Sequence, residues 1–176
     1  TYGNAFMLRT DSDKKLDQFK KYSSIPIING LSPSSHPTQV LSDIFTIQEI
    51  KKKSISKLKL CWIGDANNNM MNSLVEACIK FSVYLNIACP KSYQPNKKLI
   101  YLIKKQKGKI KIFNKKEIAV KNSDVVMTDK IISLNDNVNK KKKLKSFKNF
   151  KVDKKTMKLA KKDAIFLHCL PRGSEV

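Results

Sequence analysis

Four groups of residues have the types and spacing that chemistry would need. The first is a thiol at the end of an apolar run, Ala164-Ile165-Phe166-Leu167-His168-Cys169-Leu170-Pro171-Arg172. The carboxyl end of a strand is where open α/β sheets hold their ligands. The second is Ser34-Ser35-His36-Pro37-Thr38-Gln39, a helix start with proline in its first turn and backbone amides left unpaired. Such amides favour an anion, most often phosphate. His36 can donate to a carbonyl whose charge grows in a transition state, and Gln39 can accept from an amide on the same ligand. The third is the asparagine run in Gly64-Asp65-Ala66-Asn67-Asn68-Asn69, each member offering a donor and an acceptor to an amino acid. The fourth is Thr128-Asp129 with Ser133 four residues on, where a carboxylate can hold an ammonium group or orient a thiol such as Cys169.

Each group also has a plainer reading. His36 fits an ordinary capped helix, the asparagines fit a turn in an asparagine-rich chain, and an unstabilised thiol is a small apolar side chain. Cys169 becomes a nucleophile or proton carrier only if its thiolate is stabilised. His168 does not pair with it, because neighbouring strand residues point to opposite faces. A glycine directly after a strand resembles a dinucleotide turn, but the other glycines of that pattern are missing, which argues against a nicotinamide cofactor.

The elements that must position these groups alternate along the chain. Strand-length apolar runs fall at 5–8, 25–28, 58–63, 84–88, 110–113, 124–127 and 164–168. Helical periodicity fills 13–22, 37–53, 71–81, 96–106, 115–121, 139–147 and 154–161. The alternation predicts parallel strands joined by helical crossovers, an α/β fold with doubly wound parallel sheets. The helix from Pro37 is apolar almost all round, as expected of one buried between two layers. A domain boundary is expected in or just after it, near residues 48 to 56, which gives units 1–50 and 51–176. The first unit is too short to be complete, and Thr1 is not an initiator methionine, so both ends are expected to be cut.

Composition narrows the function. Lys and Arg number 36 against 14 Asp and Glu, for a net charge of +22, yet only Arg9 and Arg172 are arginines. Base readout favours bidentate arginine, so the charge reads as lysine usage and no nucleic-acid partner is expected. The run Lys140 to Lys143, with Lys145 and Lys148, is expected on the solvated face of a helix whose apolar positions are Leu144 and Phe147. Cys61, Cys78, Cys89 and Cys169 form no Cys-x-x-Cys pair and no metal-ligand spacing with the two histidines, so no metal is expected and a reduced, cytoplasmic setting is. No membrane span or signal peptide is visible.

Together these motifs resemble the ornithine carbamoyltransferases. Ser24-Ile25-Pro26-Ile27-Ile28-Asn29-Gly30-Leu31-Ser32 with His36-Pro37-Thr38-Gln39 is similar to the family's carbamoyl-phosphate motif. Trp62-Ile63-Gly64-Asp65 with the asparagines is similar to its ornithine-domain entry, and His168-Cys169-Leu170-Pro171-Arg172 to its cysteine signature. Aspartate carbamoyltransferases have proline in place of Cys169. The resemblance implies carbamoyl transfer from carbamoyl phosphate to the side-chain amine of L-ornithine, without metal or organic cofactor, in a homotrimer with active sites at subunit interfaces. It implies carbamoyl-phosphate contacts from His36, Pro37, Thr38, Gln39, Cys169 and the Leu170 backbone. Ornithine contacts would come from Asn69 or Asn68, Asp129, Ser133 and Leu134. Cys169, Asp129 and His36 would act in catalysis.

The chain departs from the family in three places. The Ser-Thr-Arg-Thr phosphate loop and the final helix are not in it, and Ser133-Leu134-Asn135 stands where Ser-Met-Gly is usual. Lys130 occupies a position that is usually apolar. The chain alone is therefore expected to be inactive. A carbamoyltransferase for putrescine or acetylornithine, and a non-catalytic basic nucleic-acid-binding module, are the alternatives.

Overall fold

The computed structural model describes residues 3–132, 139–170, 172, 173, 175 and 176. Ser133, Leu134, Asn135 and Pro171 lie outside them. Strand β1 (Phe6–Arg9), helix α1 (Asp13–Tyr22) and strand β2 (Ile27–Leu31) form a parallel pair with a helical crossover. Helix α2 (Pro37–Lys51) then leads to a five-stranded sheet. Its elements are β3 (Lys59–Ile63), α3 (Asn69–Lys80), β4 (Tyr84–Ala88), α4 (Lys97–Lys105), β5 (Ile110–Phe113), α5 (Lys116–Val120), β6 (Val125–Thr128), α6 (Lys140–Ser146), α7 (Lys154–Met157) and β7 (Ile165–His168). Every pairing is parallel and the order is β5-β4-β3-β6-β7. This is the doubly wound α/β architecture expected from the alternation.

Both faces of the sheet are covered, which explains why its central strands read as unbroken apolar runs. In β3, Leu60 and Trp62 point into a core built with α2, α3 and α4. Cys61 and Ile63 point the other way, into a core that holds Ala119, Val120 and the ring of Phe147. Local chemistry sets the ends. Asn68 Oδ1 accepts from the Met71 amide at 2.8 Å and starts α3 two residues before the apolar periodicity does. Asp124 lies outside β6, its carboxylate accepting from the Lys59 amide at 2.8 Å and from Lys161 Nζ at 2.7 Å. Helix α7 stops at Met157 because Leu159 and Ala160 bond back three residues, to Thr156 and Met157, in a tighter turn.

Beyond these boundaries and β2, which runs over Ile27–Leu31 where 25–28 is expected, two further expectations change. Helix α2 is not buried all round: Val40, Ile44 and Ile47 face the core, while Leu41, Phe45 and Ile50 lie on an exposed face. Three- and four-residue steps select one stripe, and the remaining apolar side chains fall outside it. The lysine run is not wholly solvated either. Lys143 is only 3% exposed and shares the inward face of α6 with Phe147, whereas Leu144 turns out to solvent at 40%. Phe147 is fully buried and packs its ring against Tyr93 at a centroid distance of 4.8 Å. Phe147→Ala should therefore lower unfolding free energy by about 3–5 kcal/mol in denaturant titration.

Candidate active site

The chain fills the sheet outward from β3 in two directions, through β4 and β5 on one side and β6 and β7 on the other. The gap between β3 and β6 is thus a topological switch point, where crossovers leave on opposite faces and a crevice opens at the strand carboxyl ends. Gly64 follows β3 with φ +149°, and a Cβ there would sit 3.3 Å from Thr128 Oγ1. That hydroxyl donates to the Ile63 carbonyl at 2.5 Å, so the two strand ends are tied where they diverge.

A cleft of about 870 Å³ lies over this point. Asp65, Asn68 and Asn69 reach it from β3, Asp129 from β6, and Cys169 and Leu170 from β7. His36 and Gln39 enter from the start of α2, and Arg9 from the end of β1. Three hydrogen bonds join the α2 side to α3. The His36 amide donates to Ser73 Oγ at 2.8 Å, Asn69 Nδ2 to the Ser32 carbonyl at 3.0 Å, and Asn72 Nδ2 to the Ser34 carbonyl at 2.9 Å. His36 is the N-cap of α2 but makes no side-chain capping bond. The His36–Gln39 group and the Asp129 and Cys169 groups, far apart in sequence, therefore line one cleft.

Cys169 Sγ donates to Asp129 Oδ1 at 2.8 Å. Burial first, and the Asp129 carboxylate second, push the thiol up to about 12, so it remains a thiol at neutral pH. That removes the thiolate both as nucleophile and as a base acting by itself, and leaves the thiol a relay to Asp129. His168 turns away: its Nε2 lies 2.9 Å from Glu175 Oε1. Burial works against ionisation of Glu175, but hydrogen bonds from the Gly173 amide and His168 outweigh it and hold the carboxyl below its ordinary value. Burial, reinforced by Arg9, lowers the His36 imidazole, while Asp129 opposes them. The neutral imidazole is thereby favoured. Thr38 Oγ1 donates to the Gly30 carbonyl at 3.0 Å, 3.4 Å from His36 Nδ1, and Pro37 supplies the first helical residue. Leu170 is 86% exposed and is one of the residues that line the cleft.

The two asparagines differ. Asn68 is committed at both ends of its amide, capping α3 and donating to the Asp65 carbonyl at 3.3 Å. Asn69 sits at the seam with Ser32. Ser133 and Leu134 are outside the described residues.

The sequence reading missed Asp43, Asp65 and Lys143. Asp65 Oδ2 pairs with Lys143 Nζ at 2.7 Å, both groups buried, and Oδ1 accepts from the Asn67 amide at 2.9 Å. Lys143 also lies 5.4 Å from the centre of the Tyr93 ring. A signal existed: Lys143 precedes Phe147 by four residues, which puts both on one helical face. Asp43 likewise follows Gln39 by four, and its Oδ1 accepts from Gln39 Nε2 at 2.9 Å.

Residues 1–49 match the carbamoyl-phosphate-binding domain of the aspartate/ornithine carbamoyltransferases, and residues 56–176 match their aspartate/ornithine-binding domain. The chain belongs to the aspartate/ornithine carbamoyltransferase family. Among similar curated proteins, the ornithine carbamoyltransferase of Caldicellulosiruptor saccharolyticus is 43% identical over 99% of the chain. The chain spans 58% of that relative's length. The crystal structure of the anabolic ornithine carbamoyltransferase of Campylobacter jejuni superposes with a TM-score of 0.89 at 39% identity, covering 97% of this chain and 57% of that one. The Pyrococcus furiosus ornithine carbamoyltransferase gives 0.83 at 35%, covering 97% and 55%.

Two outcomes are expected from the site geometry. Lys143→Met strands a buried carboxylate and should cost about 3–5 kcal/mol of unfolding free energy, much of it recovered by adding Asp65→Asn. Cys169, the one cysteine of the four that is not buried, should react slowly with iodoacetamide at pH 8, and faster after Asp129→Asn.

Proposed function

We propose that the complete protein containing this chain transfers the carbamoyl group of carbamoyl phosphate to the side-chain amine of L-ornithine, releasing L-citrulline and phosphate. The observation that carries this reading is the Cys169–Asp129 pair facing His36 and Gln39 across one cleft. Residues 1–50 would form part of a carbamoyl-phosphate domain and 51–176 most of an ornithine domain. His36, Pro37, Thr38, Gln39, Cys169 and the Leu170 backbone would surround the carbamoyl group. Asn69, Asp129, Ser133 and Leu134 would hold the amino-acid end. With the Asn68 amide occupied by backbone partners, Asn69 is the better candidate of the two.

The acceptor arrives as an ammonium of ordinary pKa about 10.4 and must lose a proton before it can attack. Because Cys169 is a thiol, the proton leaves in relay: sulfur takes it from the ammonium as the Sγ proton passes to Asp129. The neutral amine then attacks the carbamoyl carbon. His36 donates to the oxygen as it gains charge, and as the bond to the phosphate oxygen breaks the departing phosphate takes the second proton of the attacking amine. The family resemblance extends the proposal to a homotrimer in the cytoplasm. The name of the Campylobacter jejuni relative, ornithine carbamoyltransferase, anabolic, supports a place in arginine biosynthesis.

The test compares carbamoyl transfer by the complete protein to ornithine, aspartate and putrescine. Selective citrulline formation is expected. Transfer to another amine alone would reassign the acceptor, and no transfer to any would overturn the reaction. Cys169→Ala should lower kcat by roughly 10²–10⁴-fold while carbamoyl-phosphate binding persists.

A further inference from the structure

A carbamoyl group presents two heads of nearly equal size, a carbonyl oxygen that only accepts and an amino group that donates. A site that uses the group must tell them apart, and a glutamine is poorly suited to do so alone because its own amide can turn over. In this chain the ambiguity is removed from behind. Asp43, one turn along α2 from Gln39, accepts from Gln39 Nε2 at 2.9 Å. An ionised carboxylate has no hydrogen to give, so it engages only the amino end of the glutamine and leaves the carbonyl oxygen to serve a ligand in the cleft that both residues line.

Resting on the reaction proposed above, we infer that Asp43 is a positioning residue that sets the polarity of Gln39, making it an acceptor for the carbamoyl amino group. The pair belongs to one helix at four-residue spacing, so the arrangement does not depend on loop geometry. Asp43 holds its charge against its surroundings: burial raises its carboxyl to about 6, opposed by the bond from Gln39, with Asp129 adding to the rise. It is ionised at pH 8. A folded pKa above the ordinary 3.8 means that ionisation works against folding as pH rises from near 4 through 6, so the carboxylate is retained at a cost in stability.

Asparagine in its place removes the charge but can turn either end of its amide to Gln39, so the lock is lost while the shape remains. The measurement is the ratio of the inhibition constant for acetyl phosphate, which carries a methyl where carbamoyl phosphate has its amino group, to the KM for carbamoyl phosphate. It is made on the complete protein at pH 8. Asp43→Asn should narrow this ratio several-fold, up to about tenfold, the loss of one well-placed hydrogen bond. It should change the KM for ornithine far less than this ratio and raise the thermal midpoint. Asp43→Glu, which keeps the carboxylate, should hold the ratio near the wild-type value. If the asparagine variant does not fold, Asp43→Ser gives the same readout. An unchanged ratio in a folded variant lacking the carboxylate overturns the inference, as does a fall in affinity for both substrates together with a lower midpoint. A wild-type protein that does not use carbamoyl phosphate would instead fail the proposed reaction.

Discussion

The hydroxyl of Thr128, donating to the carbonyl of Ile63, closes the point at which β3 and β6 diverge. Parallel strands present all their carboxyl ends on one edge, and the order β5-β4-β3-β6-β7 sends the crossovers from these two strands to opposite sides. The crevice is a consequence of that order. Gly64 is needed there because its backbone runs at positive φ with Thr128 Oγ1 close to where a side chain would begin. The asparagine turn, Asp129 and Cys169 are then delivered to the same edge by three different strands.

The second half of the cleft is attached to the first through polar contacts. The His36 amide, Asn69 and Asn72 bond across between the start of α2 and α3, reinforcing the packing of Val40, Ile44 and Ile47 beneath them. Hydrogen bonds of this kind set register and direction, while the apolar stripe of α2 provides the burial. The polar residues of the site thus also support its frame, most clearly Asn69, whose amide holds the Ser32 carbonyl.

Carboxylates in the cleft each have a defined neighbour. Asp65 is matched by Lys143, Asp129 receives the Cys169 thiol, and Asp43 receives the Gln39 amide. The partners differ in kind, and so do the consequences. Asp65 pairs with a buried ammonium, Asp129 accepts from a thiol, and burial raises the Asp43 carboxyl to about 6 against the bond from Gln39. Environment in this way divides similar side chains among different tasks.

The alternation of branched apolar runs with helical periodicity determined the strands, the helices and the parallel architecture from sequence alone, because those patterns reflect local backbone geometry and two-sided burial. Motif order also placed His36, Gln39, Asp129 and Cys169 in one expected site. Tertiary structure decided what one-dimensional patterns do not encode. It placed Lys143 in the interior, within a run that reads as solvated, because only the fold puts Asp65 within 2.7 Å of it. It separated Asn68, held by the cap of α3, from Asn69 at the seam. It exposed Leu41, Phe45 and Ile50, since a helix buries whichever face its neighbours meet. Side-chain chemistry is written in the sequence, but partners and burial, which set charge and hydrogen-bond direction, arise when distant segments meet.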